Sequence, residues 1–176
     1  MIPQLLATML MLASSSVGSS GSPSAIRTQL EVPVLKQTPQ RCGQAALEMV
    51  LRYYGAGAAA LQEANRAYDP ALRGSLVTDL AAAARRAGYD ATIATLTPDS
   101  LAGLLAAGVP PIVLYQSGPS PFTLAHYGVV SGWDSERGTL TINDGRASRA
   151  TFQLGDFAKR WRTAGSQALI VRRTQP

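Results

Sequence analysis

The chain has 176 residues, of which 46% are hydrophobic and 15% charged, so it reads as one globular domain rather than a disordered segment. The formal net charge is +5, but Arg85–Arg86, Lys159–Arg160, Arg162 and Arg172–Arg173 form no long run and have no interleaved stacking aromatics. They are expected to be a solvated basic face, and no nucleic acid partner is expected. One cysteine and one histidine exclude an internal disulfide and the usual zinc shells, so neither metal nor cofactor is expected.

Residues 1–24 read as a signal-like segment with a Ser/Gly-rich linker. The run Ile2–Ala13 is apolar, Ser14–Ser24 is small and polar, and no Lys or Arg precedes Arg27. The expectation is export, periplasmic or secreted, with the segment cleaved or retained. The run is too short to span a bilayer, and no cysteine follows it to carry a lipid anchor. Residues 25–176 form the expected domain.

Ile26–Leu35 has Leu30, Val32, Val34 and Leu35 and reads as an extended leading segment, at a sheet edge or irregular at Pro33. Helical spacing of Ala46, Met49, Val50 and Tyr53 predicts a helix over Gly43–Tyr54, stopped by Gly55. Further helices are predicted at Ala58–Tyr68 and Leu76–Ala87, the second capped by Ser75 or Thr78 and ended by Gly88. A short strand, Ala91–Thr95, is followed by a helix over Pro98–Ala107, with Pro98 in its first turn and Gly108 beyond its end. Strand-like runs then dominate: Pro111–Tyr115, Tyr127–Trp133, Thr139–Ile142 and Ala168–Arg172, with one helix near Leu154–Trp161 between them. Helices first and strands later predict an α+β fold with a largely antiparallel sheet.

Cys42 follows the polar loop Gln37–Arg41 and stands just before the first predicted helix. Unpaired N–H groups and the positive helix end favour a thiolate there. Most lone cysteines are small buried hydrophobes, so the position matters more than the residue type. Gly43 would let a substrate carbonyl approach the backbone closely. His126 begins the run His126-Tyr127-Gly128-Val129-Val130 and could exchange a proton with the thiol. Asp144 could accept the second imidazole N–H, as could Asn143, although Asn143-Asp144-Gly145 is also a hairpin turn signal. Gln37 could donate its side-chain N–H to an oxyanion beside the Cys42 N–H, with Gln40 and Gln44 as competitors. Gly55-Ala56-Gly57-Ala58 follows a predicted helix rather than a strand and fails as a dinucleotide fingerprint. There is neither a Gly-x-Ser-x-Gly elbow nor a phosphate loop.

Val32-Pro33-Val34-Leu35-Lys36-Gln37, Cys42-Gly43-Gln44-Ala45-Ala46-Leu47 and Tyr53-Tyr54-Gly55 resemble the bacteriocin-processing (double-glycine leader type) cysteine peptidases. So do His126 with the run to Gly132-Trp133-Asp134, and the closing helix with Phe157 and Trp161. The resemblance implies a papain-like fold, Cys42 as nucleophile, His126 as base, Asp144 as third member and Gln37 in the oxyanion hole. It departs at Asp144-Gly145, where Asp-Pro is common, and at Arg41, where an acidic residue is common. Well-known members carry transporter and ATPase domains. Neither is expected in this chain, which is similar to the free-standing, exported branch, with a peptide or protein as substrate. The expected activity is hydrolysis of peptide bonds through a thioester. The alternatives are a catalytically silent peptide-binding scaffold and a papain-like acyl or peptidyl transferase.

Overall fold

The computed structural model describes residues 26–174, so the signal-like segment 1–24 lies outside the described residues. In chain order the elements are β1 (Arg27–Gln29), α1 (Cys42–Tyr53), α2 (Ala58–Asn65), α3 (Val77–Arg86), β2 (Tyr89–Thr95), α4 (Pro98–Ala106), β3 (Ile112–Ser117), β4 (Leu124–Asp134), β5 (Thr139–Asn143), β6 (Ala150–Gln153), α5 (Leu154–Thr163) and β7 (Gln167–Arg173). The strands form one seven-stranded sheet of order β2-β7-β3-β4-β5-β6, with β1 paired to β4. Every pairing is antiparallel. This is the predicted α+β class.

The sheet carries helices on both faces, and its strands alternate between them. Ile112, Val129, Leu169 and Val171 pack on one face against α1 and α3, through Leu47, Val50, Leu51, Leu80 and Ala84. Val113, Tyr115, Val130, Leu140 and Ile142 pack on the other against Leu101 and Leu105 of α4 and Phe157 and Trp161 of α5. β4 is buried on both sides from Tyr127 to Trp133, which explains why it reads as a continuous apolar run.

α1 begins at Cys42, one residue before the predicted start. α2 stops at Asn65 rather than Tyr68, because Asp69 opens a tight loop in which its Oδ1 accepts from the Ala71 N–H (2.7 Å) and the Leu72 N–H (3.3 Å). The expected cap of α3 is absent. Its N-cap is Leu76, with no side-chain hydrogen bond, and the Ser75 hydroxyl is buried without a partner. Pro98 does open α4, and Thr97 caps it by accepting from the Ser100 N–H. β1 lies within the segment expected to be extended, and β6 was not predicted. They form because longer strands offer them edges: Thr28 faces Trp133, and Leu140 faces Phe152.

Candidate active site

Cys42 is the first residue of α1. The first helical bond runs from the Ala45 N–H to the Arg41 carbonyl, so the N–H groups of Cys42, Gly43 and Gln44 have no helical acceptor. No acidic side chain stands in the first turn to compete for this positive end. Burial pushes the Cys42 thiol up. A hydrogen bond with His126, main-chain N–H groups of Tyr127 and Gly43, and the charge of His126 outweigh that, so the pKa falls below the ordinary thiol value.

His126 lies on β4, opposite Tyr115 of β3. Its Nε2 is 2.7 Å from the main-chain carbonyl oxygen of Asp144. A carbonyl can only accept, so Nε2 carries the hydrogen and Nδ1 is the nitrogen left for the thiol. Burial pulls the imidazole pKa down, but the Cys42 hydrogen bond, the Asp144 carbonyl and the charges of Cys42 and Asp144 raise it above the ordinary value. The two groups are thus moved towards each other in pKa, which favours a thiolate–imidazolium pair.

Asp144 therefore meets His126 with its main chain. Its carboxylate is buried and points elsewhere: Oδ1 accepts from the Arg146 N–H (3.3 Å), and Oδ2 lies 3.3 Å from Arg146 Nε. Asn143 is committed differently. Its Oδ1 accepts from the Ser131 hydroxyl (2.9 Å), and its Nδ2 donates to the carbonyls of Val32 (3.0 Å) and Pro33 (3.3 Å). That amide ties the leading segment to the end of β5. The turn signal also holds, since Asn143-Asp144-Gly145 opens the loop of the β5–β6 hairpin, in which Ile142 faces Ala150. Turn and site are the same segment.

The same loop positions Gln37, whose N–H donates to the Gly145 carbonyl (2.8 Å). Gly145 has φ +79°, and a Cβ there would come 2.5 Å from Gln37 Oε1. Only glycine fits both the backbone and the approach. Gln37 Oε1 is buried without a hydrogen-bond partner. Gly43 is closely packed: a Cβ there would lie 3.1 Å from Ser75 Cβ and 3.2 Å from Leu80 Cδ1.

Cys42, His126 and Gln37 line one cleft of about 760 Å³. Its walls are the loop Leu72–Leu76 with the start of α3 at Val77 and Thr78, and the β3–β4 hairpin at Leu114 and Leu124–Tyr127. Leu72, Leu76 and Leu124 remain more than half exposed, giving the cleft apolar walls. Gln40 also lines it. With its amide oxygen oriented to Arg73, it accepts from Arg73 Nε at 2.9 Å and so links the loop before Cys42 to the facing wall. Gln44 is buried and does not line this cleft. The wall at Leu72–Ser75 is not assigned from sequence, although Asp69-Pro70 before it and Gly74 within it are turn signals. The Asn143 clamp was missed because it joins segments far apart in the chain.

The sequence model of the Peptidase_C39 like family matches residues 29–169. No curated protein matches the chain. Among solved structures, a C39-like peptidase from Bacillus anthracis superimposes with a TM-score of 0.67 at 18% identity, covering 85% of this chain and 99% of that one. A double-glycine motif protease from an AMS/PCAT transporter, solved in complex with the leader peptide, gives 0.64 at 23% identity, covering 84% and 95%. The peptidase domain of Streptococcus ComA, a bifunctional ABC transporter of a quorum-sensing pathway, gives 0.63 at 20% identity, covering 81% and 99%. The fold is the papain-like fold of these peptidases.

Proposed function

The chain belongs to the Peptidase_C39 like family, and from that premise we propose that it hydrolyses peptide bonds with Cys42 as nucleophile and His126 as base. The observation that carries this is the pairing of the lone thiol, at a helix start, with the lone imidazole, whose Nε2–H is fixed on a carbonyl.

Nδ1 takes the thiol proton, and the sulfur attacks the substrate carbonyl. The C–N bond breaks as the imidazolium gives that proton to the departing amine. Water, deprotonated by Nδ1, then attacks the thioester and releases the acid and the free thiol. The Cys42 N–H and the Gln37 side-chain N–H₂ donate to the oxyanion. With the Gln37 oxygen turned into the protein, its nitrogen is the half of the carboxamide left for the cleft. The role of Asp144 is to hold His126 through its carbonyl. The substrate is a peptide or protein segment, with apolar side chains against Leu72, Leu76 and Leu124.

Incubation with a peptide mixture, with and without an added amine, tests the reading by mass spectrometry. Wild-type protein is expected to give hydrolysis products, and Cys42→Ala none. Cleavage by Cys42→Ala, or none by wild type, overturns it. Products joined to the amine would assign an acyl transferase, and bound but uncut peptide a scaffold.

A further inference from the structure

Arg73 stands in the cleft wall with φ +51°, and Gln40, which faces it from the loop before Cys42, has φ +67°. Left-handed backbone is costly for both residue types, so the fold holds the pair against strain. The loop that carries Arg73 is closed on itself. Asp69 and Gly74 exchange both main-chain hydrogen bonds (2.8 and 3.2 Å), and the Asp69 carboxylate is engaged by the Ala71 and Leu72 N–H groups. Gln40 then orients the guanidinium, because its amide oxygen accepts from both Nε and Nη2. In that orientation the Gln40 nitrogen stands 3.4 Å from the Tyr68 hydroxyl oxygen, and the Arg41 guanidinium carbon lies 4.2 Å from the Tyr68 ring centroid. Two positive charges are thus fixed on one rim. Arg73 has five N–H donors, and Gln40 takes two of them. The rest include the Nη1/Nη2 fork, whose shape suits a carboxylate. Among the described residues Arg73 forms no salt bridge, and no acidic residue lines the cleft.

We infer that Arg73 is a specificity-determining residue: its Nη1/Nη2 fork takes a carboxylate of the bound peptide, while the apolar walls at Leu72, Leu76 and Leu124 take neighbouring side chains. A cation presented by a strained, closed loop in a cleft without acids has no internal partner among the described residues to account for it. A ligand carboxylate supplies that partner, and the loop and Gln40 have already ordered the guanidinium that receives it. Arg73 is exposed, so solvent screens the pairing. It discriminates an acid from the matching amide by about fivefold. The same charge disfavours lysine at that position.

The inference rests on the peptide-binding half of the proposed function, and the test keeps it apart from the chemistry. Fluorescein-labelled decapeptides of Ala, Leu and Gly, amidated at the C-terminus, carry Glu, Gln or Lys at each position in turn. One further peptide keeps a free C-terminal carboxylate. Affinity is read by fluorescence anisotropy on Cys42→Ala, alone and combined with Arg73→Asn or Arg73→Asp, and cleavage is read by mass spectrometry on wild type. Asn and Asp tolerate left-handed backbone, so both variants keep the loop. Cys42→Ala is expected to bind Glu at one position about fivefold tighter than Gln, an advantage that shrinks at high salt. Arg73→Asn should bind the two alike, and Arg73→Asp should prefer Lys. An advantage confined to the free C-terminal carboxylate, and lost in Arg73→Asn, assigns the same fork to a chain terminus. No binding of any peptide, Glu and Gln bound alike by Cys42→Ala, or a Glu preference that survives Arg73→Asn overturns the subsite. So does equal loss of the preference in Arg162→Asn, which removes an exposed charge of α5 outside the cleft lining. Cleavage without a carboxylate preference leaves the peptidase reading standing and removes the subsite. A preference without cleavage removes the peptidase reading and leaves the subsite.

Discussion

Cys42 is held by its own helix, whereas His126 is held by residues distant in the chain. The thiol is placed by α1, whose first N–H groups have no helical acceptor and whose first turn carries no acid, and takes its acidity chiefly from His126. The imidazole needs β3 beneath it, the Asp144 carbonyl beyond it and, through Asn143 and Gly145, the leading segment that carries Gln37. One side of the site is thus placed locally, by a helix start, and the other by tertiary geometry. Damage to the first should abolish chemistry and spare the fold. Damage to the second should be graded by how directly it moves the imidazole or the oxyanion donor.

Cys42→Ala has the largest expected effect, with peptide cleavage falling to background, roughly 10³-fold or more, at almost unchanged thermal stability. His126→Ala should cost a comparable factor, since a weakly ionised thiol without a base remains. Circular dichroism melts alongside cleavage assays check both. A large loss of stability in Cys42→Ala would contradict the local account of that side.

Gly145→Ala comes next and tests the tertiary side. The new Cβ meets Gln37 Oε1 and sits on a positive φ, so a loss of about 1–3 kcal/mol in stability is expected, with a lower kcat as Gln37 is displaced. Denaturant unfolding and steady-state kinetics read the two effects. Asp144→Asn should be the mildest. The carbonyl on His126 survives the substitution, so cleavage is expected to fall only about tenfold, far less than for His126→Ala. Equal losses in the two variants would mean that the carboxylate, rather than the carbonyl, sets the imidazole.

The same contrast governs what was legible in the sequence. Cys42 and the helix it starts could be read from neighbours alone, because a polar loop before an amphipathic run is a local signal. The apolar strands β3, β4, β5 and β7 could be read too, since burial on both faces leaves continuous runs of Val, Ile, Leu and Tyr. β6 could not, and β1 could be read only as extended: Arg27–Gln29 and Ala150–Gln153 are short and half exposed, and they become strands by pairing to Gly132–Asp134 and Thr139–Ile142. Asp144 was found as a residue but not as an atom. Every residue has a main-chain carbonyl, so side-chain chemistry in a sequence gives no sign of which carbonyl the histidine will use. Asn143 shows the converse, a side chain with the right chemistry for the histidine that the fold spends on Ser131, Val32 and Pro33.

The central claim is that His126 makes Cys42 a nucleophile, and thiolate ultraviolet absorbance followed against pH tests it most directly. In wild type the thiolate should appear below the ordinary thiol range, because the His126 hydrogen bond and charge outweigh burial. In His126→Ala burial remains and those two favourable interactions are lost, so the titration should move upward. Superimposable curves for the two proteins would contradict the account.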